Sequence, residues 1–297
     1  MKKLPIGIAT LSKIINEDYA YVDKSRFVHE LVESGSYYFL SRPRRFGKSL
    51  FVDTLKEAFE GNQRLFKGLW LEDHWDWETQ YPVIRFSFGE GVSSNRNRLE
   101  EKIWEQLTLH EKRLGVHCAF QTISGRFGQL IENTARKYGH VVVLVDEYDK
   151  PILDCIADPV TAADIREGLK DFYSVIKDSD AHLKFVLLTG VSKFSKVSLF
   201  SGLNNLTDIT LDPRFAAICG WTETELTENF ADRLQGKDIN QIRNWYNGYS
   251  WLGEKVYNPF SLLNFLRTGL FRNYWFETGT PTFLMELLKK RRYNIPA

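Results

Sequence analysis

Cysteine is scarce in this chain of 297 residues. Cys118, Cys155 and Cys219 are odd in number and far apart, and no metal-ligand or redox spacing links them. They read as buried or free thiols of a reducing compartment. The six histidines show no HExxH pattern and no paired spacing, so no His or Cys metal site is expected. No apolar run approaches the ~20 residues needed to span a bilayer. The opening MKKLPIGIATLSKIINED only faintly imitates a signal peptide: its apolar stretch is short, broken by Pro5, and has no small-residue cleavage site. Neither sign of charge is in excess. The formal net charge of +1 gives no global pull toward nucleic acid or an acidic membrane. Internal repeats, low-complexity tracts and flexible linkers are missing as well. A cytoplasmic protein without membrane contact is the expectation.

What is present is an ordinary soluble composition, 43% hydrophobic and 26% charged. The length allows one large domain or two ordinary ones. Residues 24–34, KSRFVHELVES, place Phe27, Val28, Leu31 and Val32 on one helical stripe that Gly35 can end. Tyr37 to Leu40 reads as a buried strand. Lys48 to Glu60 reads as a helix with Leu50, Phe51, Leu55 and Phe59 inward. PVIRFSF (82–88) alternates as a strand, and helices are expected near 98–112 and 122–138. VVVLVDEYD (141–149) is the strongest strand; its unbroken β-branched character suits a parallel sheet buried on both faces. A helix over 162–179, a strand at 184–190 (KFVLLTG) and a fifth strand at 207–211 (TDITL) follow. Alternating strands and helices argue for an α/β fold with a parallel sheet. Residues 222–295 are mostly helix-like, with aromatic turns such as WYNGYSW. The expected division is a core over 1–213 and a smaller helical region over 214–297.

SYYFLSRPRRFGKSLFVDTL (36–55) runs from a strand through a basic loop into a helix. Its ending, Gly47-Lys48-Ser49, matches the close of the phosphate-binding pattern GxxxxGK[ST], but Arg42 stands where the first glycine belongs. The ending carries more of the chemistry. Gly47 lets backbone approach phosphate oxygens. The unpaired amides at the helix start and the helix dipole favour an anion. Lys48 can reach the β- and γ-phosphates, and Ser49 can place its hydroxyl on Mg²⁺. Arg44 and Arg45 add charge that suits phosphates or a partner's acids. Arg42 is tolerable if its position needs no positive φ, and Pro43 favours an extended Arg42. The expected nucleotide-binding stretch is Arg44, Arg45, Phe46, Gly47, Lys48, Ser49 and Leu50.

The metal-holding acid is expected at the carboxyl end of VVVLVDEYD, where ligands of open α/β sheets bind. Asp146 is the expected Mg²⁺ partner and Glu147 the residue that orients attacking water. Asp149 either supports them or caps the turn before Pro151. The adjacent Asp-Glu fits ATPases of the additional-strand type. Thr189, ending KFVLLTG, is then the expected γ-phosphate sensor, against a plain strand-end cap; Ser192 and Lys193 follow it. Asp23 and Lys24 of YVDKS either line an adenine pocket or pair locally. The tryptophan-rich, acidic LWLEDHWDWE (69–78) suits packing better than base stacking, and KKRRY (289–293) suits a solvated helix face. Arg214 is one candidate for an arginine finger.

These motifs resemble the AAA-ATPase-like family of bacterial and archaeal proteins. The resemblance covers LPIGI, YVDKS, RPRRFGKS, VDEYDKP, TGVSKFSKVSLFSGLNNLTDIT, CGWTETEL, WYNGY, VYNPFSLLNFL and YWFETGTPTFL. It implies a P-loop NTPase three-layer sandwich with a mainly parallel sheet, with ATP and Mg²⁺ as ligands. In that family the loop begins Arg-Pro-Arg-Arg, so Arg42 departs from the general motif and not from the family's. Lys48, Glu147 and Thr189 then carry catalysis, and Ser49 and Asp146 hold the metal. Longer members often continue into a PD-(D/E)XK nuclease-like domain, which would begin beyond Ala297, so the chain is expected to be a truncation or a stand-alone ATPase. The expected function is Mg²⁺-dependent ATP binding with slow hydrolysis, used as a conformational switch. The alternatives are a non-catalytic ATP-binding interaction module, or an ATP-gated part of a nucleic-acid-processing system; besides ATP, the expected partner is a protein or the nuclease-like domain of longer relatives, nucleic acid being an option that the net charge does not support.

Overall fold

The structure, a computed structural model, describes residues 1–192, 199 and 205–279, with backbone alone for 277–279. The expectations for Lys193 and for KKRRY, and parts of the TGVSKFSK and YWFETGTPTFL segments, lie outside the described residues. The fold is α/β, with five strands and interleaved helices among the described residues. The chain divides into two compact units, Met1–Val83 with Thr207–Gly279 and Ile84–Leu206 with Thr280–Ala297. Among the described residues no helix is long and apolar enough to cross a membrane.

In the first unit α1 (Leu11–Asn16) and α2 (Arg26–Ser34) precede β1 (Tyr37–Ser41), whose last four residues are buried. α3 (Lys48–Phe59) follows the basic loop. Phe51, Leu55 and Phe59 point inward as expected, whereas Leu50 is only half-buried. The last strand of this unit, Thr207–Asp208, runs parallel to β1 with Tyr38 opposite Thr207 and Phe39 opposite Asp208. It is shorter than the expected 207–211. The Asp208 carboxylate accepts the Thr210 amide at 3.0 Å, which turns the chain out of the strand. The Thr210 hydroxyl then accepts the Ser41 amide at 3.0 Å, closing the end of β1.

Among the described residues after the last strand, four α-helices follow, in line with the mostly helix-like pattern expected over 222–295: Glu223–Leu234, Ile239–Tyr246, Pro259–Thr268 and Tyr274–Gly279. Each of the first three starts on a side-chain cap, from Thr222, Asp238 and Asn258 in turn. They bury Trp221, Leu226, Phe230, Ile242, Tyr246 and Leu262 in one cluster.

The second unit carries β2 (Val83–Ser87), which begins at its boundary, then α4 (Arg96–Leu114), α5 (Ile123–Tyr138), β3 (Val141–Asp146), α6 (Lys150–Asp154), α7 (Pro159–Asp178) and β4 (Leu183–Gly190). The strand order is β2-β3-β4. β3 and β4 are parallel, with Val143 opposite Val186 and Val145 opposite Leu188. All six residues of β3 are buried, which is why its sequence never alternates. Phe86, Phe127 and Phe172 pack beside it with ring centroids 4.7 to 5.1 Å apart. β3 ends at Asp146, three residues before the expected end, because Glu147 takes a left-handed φ of 56°.

Candidate functional site

The phosphate-loop candidate lies in the first unit. Gly47 has φ 94° and sits immediately before α3, so an L-residue there is strained although nothing lies within 4 Å of where its Cβ would be. Lys48 and Ser49 open the helix, where its first amides lack intrahelical acceptors. Lys48 is buried, and its ammonium donates to the carbonyls of Arg42 and Pro43 at 2.9 and 3.0 Å. The loop thus folds its lysine back along its own backbone. Ser49 is half-buried beside it.

Arg42 answers the question of the missing glycine. Its φ is not positive, so the position needs no glycine. Nor does its side chain belong to the anion-binding face, for it is 1% exposed and runs into the core. There it donates to the carbonyls of Ser41, Thr210 and Phe215 at 2.9 to 3.0 Å, with the guanidinium 4.2 Å from the Trp251 ring centre. Burial pulls its pKa down to about 10. Arg45, by contrast, is the loop residue in the left-handed region, at φ 67°, with its guanidinium over Phe260. Phe46 is buried edge-on against Tyr249 and Trp251. The Arg44 carbonyl accepts the Trp275 indole N–H at 2.9 Å.

The acid pair lies in the second unit. Asp146 closes β3 and is buried. Thr189, on the neighbouring β4, donates its hydroxyl to Asp146 Oδ1 at 2.7 Å. Arg85 approaches Oδ2 at 3.9 Å. Thr189, the expected γ-phosphate sensor, is therefore bonded directly to the Asp146 carboxylate. Glu147 is half-buried beside Gly89, whose Cβ, if present, would stand 3.5 Å from Glu147 Oε2.

Asp149 stands at the N-cap position of α6, before Pro151, but makes no side-chain capping bond there. Its buried carboxylate accepts the amides of Val191 and Ser192 and the Ser192 hydroxyl, so it ties down the chain leaving β4. Burial raises its pKa, and those donors work against the rise. Gly190 is needed here, because a Cβ would come within 2.3 Å of Tyr148. Asp23 accepts the Ser25 and Trp70 amides. Lys24 is buried and bonds both Glu225 oxygens at 2.5 and 2.6 Å and the Ala217 carbonyl at 2.8 Å. Burial lowers its pKa and Glu225 opposes that. Both residues of YVDKS thus pair with protein groups. Arg214 is exposed and bonded to Asp212.

Sequence reasoning did not find the backing of the loop by Tyr249, Trp251, Phe260 and Trp275, nor Arg85 beside Asp146. The signal for the first was the aromatic density of WYNGYSW, which names an anchor but not what it holds.

Ser49 and Asp146 offer a hydroxyl and a carboxylate, hard oxygen donors of the kind Mg²⁺ prefers. Among the described residues no group of three or more His, Cys, Asp or Glu could hold a metal.

The comparisons with known proteins follow this geometry. Over its whole length the chain is 58% identical to an "Uncharacterized protein in vnfD 5'region" of Azotobacter chroococcum mcd 1, and it spans 58% of that relative's length. A looser likeness, at TM-score 0.39 and 14% identity, is to the Aeropyrum pernix ORC1 protein solved in complex with DNA, over 75% of this chain and 53% of that one. Residues 5–200, which include both the loop and the acid pair, match the AAA-ATPase-like family, described as predicted AAA-ATPase. The chain belongs to that family.

Proposed function

We propose that this chain binds ATP with Mg²⁺ and hydrolyses it slowly, using nucleotide state as a conformational switch. The observation that carries the reading is the loop itself. A left-handed Gly47 leads into α3, with Lys48 and Ser49 in its first turn. Its open amides and positive dipole end favour phosphate. Lys48 exchanges the Arg42 and Pro43 carbonyls for β- and γ-phosphate oxygens. Ser49 and Asp146 are the oxygen donors that would hold Mg²⁺, which would neutralise phosphate charge. Glu147 orients the attacking water. The 2.7 Å bond from Thr189 to Asp146 supports a sensing role in which the hydroxyl fixes the carboxylate. Slow turnover is the expectation because no arginine finger is assigned, Arg214 being one candidate among many and another subunit an alternative source; such a finger is worth ~10³ to 10⁵ in rate.

The test is calorimetric ATP binding together with phosphate release. Glu147→Gln is expected to bind ATP like the wild type and to lose at least about 90% of turnover, general-base contributions being ~10²-fold or more. Lys48→Ala is expected to lose binding. Turnover independent of Glu147 overturns the catalytic assignment, and unaltered affinity in Lys48→Ala overturns the phosphate-loop assignment.

A further inference from the structure

We infer that Trp251 and Trp275 are positioning residues of the phosphate loop: they hold residues 42–46 in the shape that places the Lys48 ammonium. The inference rests on the ATP reading above. Six contacts from five residues within 220–275 converge on this short stretch. Trp251 covers the Arg42 guanidinium at 4.2 Å. Trp251 and Tyr249 receive the Phe46 ring edge-on, at 5.4 and 4.6 Å between centroids. The Gly220 amide donates to the Phe46 carbonyl at 3.1 Å. The Trp275 indole donates to the Arg44 carbonyl at 2.9 Å, and Phe260 lies under Arg45.

The link to Lys48 is direct. Its ammonium rests on the carbonyls of Arg42 and Pro43, and Arg42 is the residue Trp251 covers. Moving the indole moves the carbonyls that locate the ammonium. The loop also needs holding, because Arg45 sits at φ 67°, a conformation a non-glycine residue keeps only when its surroundings over-determine it. The turn that carries Trp251 is itself fixed. Leu252 has φ 61°, and Gly253 packs so closely that a Cβ would stand 2.5 Å from the Ala216 Cβ. Loop shape and turn position are therefore one mechanical assembly, and by linkage whatever binds the loop acts back on the turn.

The experiment measures Mg-ATP affinity by calorimetry on the full chain, with the melting temperature of each nucleotide-free variant beside it. Trp275→Phe keeps the ring and loses only the N–H. Its Kd is expected to rise about fivefold, the worth of one net hydrogen bond, with the melting temperature within about 2 °C of wild type. Trp251→Ala is expected to raise Kd about tenfold or more, and Trp251→Phe, which restores a ring face for Arg42, to recover most of that loss. Should Trp251→Ala not fold, Trp275→Phe and Trp251→Phe decide the matter. A wild type that binds no ATP overturns the ATP reading and this inference with it. A wild type that binds, with Trp275→Phe unchanged in Kd, overturns the inference alone.

Discussion

His110 stands near the end of α4, with Nε2 donating to the Arg85 carbonyl at 2.8 Å. Its Nδ1 faces the Arg113 guanidinium at 3.4 Å. Burial is the main force lowering its pKa from 6.5 to about 4; the carbonyl works against the fall and Arg113 with it. The unfolded chain therefore binds a proton that the folded chain refuses between those two values. Stability rises with pH through that window and is lost as pH falls from about 6.5 toward 4. Urea titrations across it should show a slope from this group of at most about 1.4 kcal/mol per pH unit, flattened in His110→Gln. An unchanged slope in the variant would refute the assignment. A histidine between Leu109 and Glu111 gave no hint of this, since its surroundings include a carbonyl of β2 some 25 residues earlier. Arg42 teaches the same lesson. The motif says which residue replaces the glycine, and only its acceptors at Ser41, Thr210 and Phe215 say that its guanidinium serves the core.

At the level of elements, helices and strands lie close to where periodicity puts them. The departures have local causes. β3 stops at Asp146 because Glu147 turns left-handed, and the last strand stops at Asp208 because its own side chain captures the Thr210 amide. The helix Glu223–Leu234 begins with a capping box. Thr222 Oγ1 accepts the Glu225 amide at 3.2 Å, and the Glu225 carboxylate accepts the Thr222 amide at 2.8 Å. The same carboxylate holds the buried Lys24 ammonium. The box therefore does two jobs. Thr222→Ala should cost about 1 kcal/mol, as for an ordinary cap. Glu225→Gln should cost about 3 kcal/mol or more, because it leaves Lys24 buried without its counter-charge. Chemical denaturation compares the two, and equal costs would count against the shared role. CGWTETEL contains the box visibly; nothing in it announces Lys24, roughly 200 residues earlier.

For the molecule as a whole, the first unit is made of two distant stretches, 1–83 and 207–279. Residues 5–200 match the family, yet β1 and its loop are completed by groups beyond them. A chain ended at Leu206 would lose the Arg42 acceptors at Thr210 and Phe215 and the aromatic cover over Phe46. Each buried polar group left unpaired costs ~1 to 3 kcal/mol, a large share of a domain's stability of about 5 to 15 kcal/mol. Calorimetry of residues 1–206 should therefore show no cooperative transition matching that of the full chain; a sharp transition at the full chain's temperature would contradict this. The amino-acid sequence by itself determined the α/β alternation, the glycine–lysine–serine turn and the acids closing the buried strand. Those features depend on backbone geometry over a few neighbouring residues, which composition and spacing record. Only the tertiary structure decided where Arg42 points, what Asp149 binds, which acid neutralises Lys24 and which rings back the loop. Such pairings join residues far apart in the chain, and a partner chosen by chain closure leaves no periodic mark on either segment.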